Sequence, residues 1–427
     1  MQRPRVLAAA TAVELVRLER NMRRSTGAVR ADQVVRLRAA IESARAAPFW
    51  QDHLAPLRDV GDLSDLEGVA TTDKARLRPI PQSDRLTRAV PAGSRTLETS
   101  GTSGEAFEVH YGPRAAWWQG VLRVRSARWR GVQPWHRTAS LTLHAETPRT
   151  EGIAGTVQHS RHVHLSTDLD MEELARRVID ARPVSLSGHP HMLVELGHEL
   201  RGRVQVRSVT THGETLTAET RAEIQSLFGA DPCDSYGTAE CGGVASQCRA
   251  ADLYHVHHEA VVVELVDDDD RPVPPGETGK IVLTSMWNPL MPFIRYHIGD
   301  SAEFAQRPCR CGSRLPALTS LSGRTMNWIV DANGNRVAPQ RMWVSLHLGD
   351  AALLGITRYR VQQDETRRVT VELVAGEQFG DDLVARWIAA YRSVLGDVPI
   401  DFRRVDHIDV RPDEKFEIIS SQAVPAN

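Results

Sequence analysis

Thr99-Ser100-Gly101-Thr102-Ser103-Gly104, set within the run from Arg95 to Glu105, is the stretch from which the rest of this chain is read. Glycine lets a backbone approach a ligand closely, and hydroxyls and free amides supply donors to phosphate oxygens. Alone, such a run is an ordinary solvated turn. It lacks the Gly-Lys-Ser/Thr ending of a Walker loop, so it does not imply a P-loop NTPase. Four further segments follow it in order: His212-Gly213-Glu214, then Asp234-Ser235-Tyr236-Gly237-Thr238-Ala239-Glu240, then Pro292 through Arg295 to Asp300, then Gly323-Arg324.

Bulk composition narrows the classes. A chain of 427 residues is long enough for two or more domains. A net charge of −2 gives no basic excess for nucleic acid and no acidic tail. No apolar run reaches about 18 residues, so no membrane span is expected. The short apolar patch near Leu7 continues into charged helical sequence, which argues against a cleaved signal peptide and for a cytoplasmic setting. Five cysteines in such a setting point to metal binding or inert burial rather than disulfides. The lysines are Lys74, Lys280 and Lys415, against a large excess of arginine.

Outward from the glycine-rich run, the pattern alternates. Apolar spacing predicts one helix over 5–45, closed by the Ala47-Pro48-Phe49-Trp50 corner, and an N-cap near Asp73. Strands are predicted at 108–111, 140–144, 183–188 and 206–211. Helices are predicted at 113–130, 170–181, 190–201 and 218–228. That alternation implies βαβ units and a largely parallel sheet. From 254 to 306 strands alternate without helices, which predicts a small antiparallel or barrel-like section. Beyond residue 324, strands at 327–330, 356–363, 368–374 and 400–406 with a helix at 380–395 describe a separate α+β unit.

In this order the motifs resemble those of the adenylate-forming (ANL, acyl-CoA synthetase) superfamily. Within it they are similar to the branch of phenylacetate-CoA ligases, coenzyme F390 synthetases and capsule-biosynthesis relatives, over nearly the whole chain. The resemblance implies an α/β fold. A large N-terminal domain of mixed sheets with flanking helices would span 1–323, and a small mobile α+β lid domain would span 324–427. It implies that Thr99, Ser100, Gly101, Thr102, Ser103 and Gly104 wrap the triphosphate of ATP. Tyr236 would stack on adenine, with Gly213, Glu214, Asp234, Ser235 and Gly237 lining the base. Thr238 would donate to the α-phosphate, and Glu240 would hold Mg²⁺, a hard cation suited to carboxylate oxygen. Asp300 would accept the ribose hydroxyls, and Arg324 would supply a cation at the domain joint. Lys415 matches the catalytic lysine, a compact charge on a flexible stem that can bridge carboxylate and α-phosphate. Two departures stand out. Glu105 replaces the lysine usual after the final glycine, and Thr325-Met326-Asn327 replaces an acidic hinge.

The expected reaction is ATP-dependent, AMP-forming ligation of a small, aromatic carboxylic acid to coenzyme A. The alternatives are transfer of the adenylate to an amine or other nitrogen nucleophile, and nucleotide binding without turnover. His144 and His212 are the polar candidates for the acyl pocket. Trp117, Trp118 and Trp129, at helical spacing, read as core, with one beside the acyl group as the alternative. Partners are expected to be small molecules and, at most, a second copy in a homodimer.

Metal chemistry suggests itself a second time. Cys309-Arg310-Cys311-Gly312 is a tight C-x-C turn, preceded by Cys248 and His255. Three thiolates and an imidazole make a closed tetrahedral zinc site of the structural type. Cys241 or His257 are alternative ligands, and buried free thiols are the competing reading.

Overall fold

The structure, a computed structural model, describes residues 4–99, 107–142, 162–167, 169–322, 328–337, 341, 358–374, 381–408 and 419–424. The helix expected over 5–45 is two helices, Pro4–Asn21 and Thr26–Ala44. Ser25 causes the break: its backbone is extended and its hydroxyl caps the second helix by accepting from the Ala28 amide. Pro48 opens the short helix Pro48–His53 rather than closing the one before it, because proline at a first helical position forfeits no hydrogen bond.

Strands β1 (Arg95–Thr99) and β2 (Phe107–Tyr111) pair antiparallel on either side of the glycine-rich run, which itself lies outside the described residues from Ser100 to Ala106. Next come β3 (Thr138–Thr142), β4 (His162–Ser166), β5 (Ser185–Gly188), β6 (Ser208–His212) and β7 (Cys233–Thr238). They are followed by β8 (Gly242–Gln247), β9 (Tyr254–Val256), β10 (Val261–Val266), β11 (Thr278–Ser285), β12 (Tyr296–Phe304) and β13 (Ala317–Ser322). Among the described residues, β3 to β13 form one sheet in the order β10-β11-β12-β13-β9-β8-β7-β6-β5-β3-β4. From β4 to β7 neighbours run parallel; beyond β7 they run antiparallel. The section 254–306 is therefore not a separate barrel. It extends the parallel half edge to edge, through β8 and β9, two short strands whose pattern was too brief to read.

Helices Met171–Ala181, Pro190–Leu200 and Ala218–Phe228 cover the parallel half around Leu141, Leu186, Leu193, Val209 and Phe228. A second core joins the N-terminal helices to β10–β12 through Leu18, Leu37, Trp50, Ile281 and Phe293. Between these layers lies a buried ion pair. Arg125, on helix Pro113–Trp129, donates to both Glu259 oxygens at 2.8 and 2.9 Å, and Asn21 donates to the same carboxylate. Trp117 and Trp118 donate to Thr11 and Glu14 of the first helix, so both dock that helix rather than a ligand.

The C-terminal segment has its own core of Val361, Val371, Trp387, Tyr391 and Leu395. After the pair β14 (Ile329–Val330) and β15 (Arg336–Val337), the strands β16 (Arg358–Gln363), β17 (Val369–Val374), β18 (Ile400–Arg404) and β19 (Ile419–Ser421) form a sheet in the order β18-β17-β16-β19. Helix Asp381–Leu395 lies with them. No helix among the described residues is long and apolar enough to cross a membrane.

Candidate functional site

The parallel strands β5, β6 and β7 end side by side, with Gly188 opposite Thr211 and His212 opposite Ser235. Ligands of α/β sheets sit beyond such carboxyl ends. Three groups of side chains gather there.

On β7 and the turn after it, Gly237 is enforced by crowding. A Cβ there would stand 2.6 Å from the carbonyl oxygen of Gly242, a backbone atom that cannot swing aside. The Thr238 hydroxyl accepts from the Cys241 amide at 2.9 Å and shapes the turn that carries Glu240. Tyr236 donates its hydroxyl to Asp300 Oδ2 at 2.9 Å, across 64 residues of sequence. Asp300 follows Gly299, whose φ of +82° suits glycine. Glu240 is buried and accepts from the Tyr296 hydroxyl at 3.3 Å.

Behind Tyr236, Asp234 is buried and both its oxygens are engaged: Thr211 donates to one at 2.7 Å and Tyr254 to the other at 3.0 Å. Burial pushes the Asp234 carboxyl above its ordinary range, against these hydrogen bonds. The carboxylate expected to meet an adenine amino group is thus held by its own fold. Ser235 is half-buried on the same strand.

Just after β6, the left-handed Gly213 (φ +82°) leads into Glu214, whose side chain is buried between two histidines. His189 Nδ1 donates to Oε1 at 3.0 Å and His191 Nδ1 donates to Oε2. A carboxylate only accepts, so both imidazoles carry their proton on Nδ1 toward it. Burial would raise the Glu214 carboxyl, yet the two donors hold it down to about 2. His212 lies 5.0 Å from the His189 ring, edge to face, and burial lowers it to about 3, so it stays neutral. Trp328 meets His191 edge-on at 4.5 Å.

Of the expected site residues, Tyr236, Asp300, Thr238, Glu240, Gly213, Glu214, Asp234, Ser235, Gly237 and His212 fall within this region. Ser100 to Gly104, His144, Arg324 and Lys415 lie outside the described residues, as does the side chain of Thr99. The sequence reading gave no individual role to His189, His191, Tyr254 or Tyr296. Only the two histidines flanking Pro190 carried a local signal.

A second cluster stands apart. Ligand atoms of Cys248, His255, Cys309 and Cys311 all lie within 4.8 Å of one another. His255 occupies the cross-sheet row of Ser246 and Ser235, two strands from β7, which is roughly 10 Å at ~4.8 Å per strand. Cys241 is buried elsewhere, and His257 is taken by Arg125 and Ser246, so neither joins the cluster.

No family model matches the chain. It is 26% identical to the phenylacetate-coenzyme A ligase of Thermus thermophilus over 161 residues, 35% of this chain and 36% of that one. It is 25% identical to the Escherichia coli phenylacetate-coenzyme A ligase over 306 residues, 66% of this chain and 67% of that one. The matched stretch thus spans about a third of the Thermus relative and two thirds of the E. coli one. Among solved structures, 2-hydroxyisobutyryl-CoA ligase with 2-HIB-AMP and CoA in its thioesterification state superposes with a TM-score of 0.67 at 18% identity, covering 95% of this chain and 92% of that one. The same ligase in its postadenylation state gives 0.63 at 17%, covering 94% and 91%. This likeness establishes the fold.

Proposed function

We propose that this chain, a relative of the phenylacetate-CoA ligases with the acyl-CoA ligase fold, activates a small carboxylic acid with ATP and passes the acyl group to coenzyme A. In the first half-reaction the carboxylate oxygen attacks the α-phosphorus, and pyrophosphate leaves. In the second, the thiol attacks the acyl carbon, and AMP leaves. The observation that carries the reading is the Tyr236–Asp300 hydrogen bond at the carboxyl ends of β5–β7. It sets an aromatic ring beside a carboxylate, which supports assigning the ring to adenine and the carboxylate to ribose.

In this reading Tyr236 stacks on adenine while Asp300 trades the tyrosine hydroxyl for ribose hydroxyls. Gly213 and Glu214 border the base through backbone, and Ser235 and Gly237 allow its close approach. Thr238 donates to the α-phosphate. Thr99, Ser100, Gly101, Thr102, Ser103 and Gly104 cradle the triphosphate, with Arg324 at the joint between units 1–323 and 324–427. Lys415 supplies the ammonium between carboxylate and phosphate. Glu240 suits Mg²⁺, since its buried carboxylate accepts from Tyr296 and has further lone pairs to offer a hard cation. Bound there, Mg²⁺ would neutralise charge on the phosphates.

A small aromatic acid is the substrate class favoured by the relatives' names. His189, neutral His212 and, from sequence, His144 give its pocket a polar side. Acid-dependent pyrophosphate exchange over a panel of aromatic and aliphatic acids tests adenylation, and product mass with and without CoA tests the acceptor. Lys415→Ala removes exchange and leaves nucleotide binding measurable. Absence of exchange with every acid would sink the reading; product seen only with an amine would overturn CoA alone.

A further inference from the structure

The cluster of Cys248, His255, Cys309 and Cys311 plays no part in the adenylation chemistry proposed above, and its geometry is that of a metal centre. We infer that it binds one zinc ion in a closed Cys₃His site that fastens the loop between β12 and β13 to the β8–β9 hairpin.

Distances favour tetrahedral coordination. Zinc with sulfur at ~2.3 Å and nitrogen at ~2.1 Å sets neighbouring sulfurs ~3.8 Å apart, and sulfur from nitrogen ~3.6 Å. Cys248 Sγ and Cys309 Sγ stand 3.7 Å apart, and Cys311 Sγ stands 3.3 Å from His255 Nε2. A disulfide would need about 2.05 Å, so the sulfurs are too far apart to be bonded. All five cysteines are free.

Backbone geometry agrees. The amide of Ala250 points at Cys248 Sγ, and the amide of Ser313 points at Cys311 Sγ, each at 3.4 Å. Each donor lies two residues after its cysteine, so both turns present N–H groups to sulfur. Such donors stabilise thiolates, the form that ligates metal. Gly312, with φ +82°, makes the turn after Cys311. Three thiolates on Zn²⁺ leave one net negative charge; Arg249 and Arg310 directly follow Cys248 and Cys309, and the Arg310 guanidinium donates to the Ala250 carbonyl across the two loops.

Burial completes the case. His255 is 1% exposed and Cys309 7%, while Cys311 is exposed and gives an ion a way in. Four protein ligands leave no position for substrate, so the ion is structural. Its consequence reaches the proposed nucleotide strand. His255 fixes β9, and the preceding Tyr254 donates to Asp234 on β7, two residues before Tyr236. The metal is a positioning element for that strand.

The test is independent of catalysis. Protein purified untagged in chelator-free buffer should contain about one zinc per chain. Titrating the wild-type thiols with a mercurial should release that zinc in step with their modification. Cobalt exchanged into the site should show tetrahedral d–d bands and a thiolate charge-transfer band. Cys309→Ser and Cys311→Ser should each lose the zinc, and Cys233→Ser should keep it. Zinc well below half an equivalent, iron in its place, or full retention in the folded Cys309→Ser protein would overturn the proposal. Because the wild-type release needs no variant, a misfolded mutant leaves the result decisive. Failure of acid activation would leave the zinc result standing, and the converse.

Discussion

Glu214→Gln tests how charge is held at the ends of the parallel strands. Glu214 is buried, and hydrogen bonds from His189 and His191 depress its carboxyl to about 2 from an ordinary 4.5. A depressed carboxylate contributes stability fully above its unfolded value and loses it as pH falls toward the folded one. The whole shift corresponds to about 3 kcal/mol, at 1.36 kcal/mol per unit. Between pH 7 and pH 3 the wild type should therefore lose roughly 2 kcal/mol that a neutral amide cannot lose. Urea denaturation of wild type and variant at pH 7, 5, 4 and 3 measures this. The variant should be the less stable at pH 7, because one histidine donor then faces an amide nitrogen instead of an acceptor. The difference should shrink steadily below pH 5. Parallel curves from pH 7 to 3 would refute the assignment of a buried ionised carboxylate held by two imidazoles.

Asp300→Asn should raise the KM for ATP by about tenfold or more, since an amide accepts one ribose hydroxyl less well than a carboxylate accepts two; Tyr236→Phe, which keeps the aromatic face, should change it only a few-fold. Steady-state exchange at varied ATP checks both. Glu259→Gln leaves Arg125 buried without its counter-charge and should cost about 3 kcal/mol or more, while Arg125→Met with Glu259→Leu should recover much of that loss in thermal denaturation. Gly237→Ala should lower the melting temperature and nucleotide affinity together, because its Cβ meets the Gly242 carbonyl oxygen.

Periodicity found the four helices between 113 and 228 within a residue or two, as at Ala218–Phe228, whose first turn Thr217 caps. Helix Pro113–Trp129 was equally plain. It failed where a local contest decided the outcome. Ser25 interrupts an otherwise continuous helical pattern by a single cap. Strands β8, β9 and β19 are three to six residues long and read as strands only because neighbours pair with them.

What the sequence determined by itself is local and covalent: which residues prefer helix, where glycine must turn, and which side chains carry metal-ligating or phosphate-binding chemistry. Cys309-x-Cys311 was visible on those grounds alone, whereas Tyr236-Gly237-Thr238 took its reading from the resemblance carried by the ordered motifs. What tertiary structure alone decided is the pairing of groups distant in the chain. Tyr236 meets Asp300, Asp234 meets Tyr254, Glu214 meets His189 and His191, and Cys248 meets Cys309, because strand order sets which ends lie side by side. Strand order follows from burying both faces of one sheet under separate helical layers. No window of sequence contains that information, since it depends on which distant apolar faces cover each other.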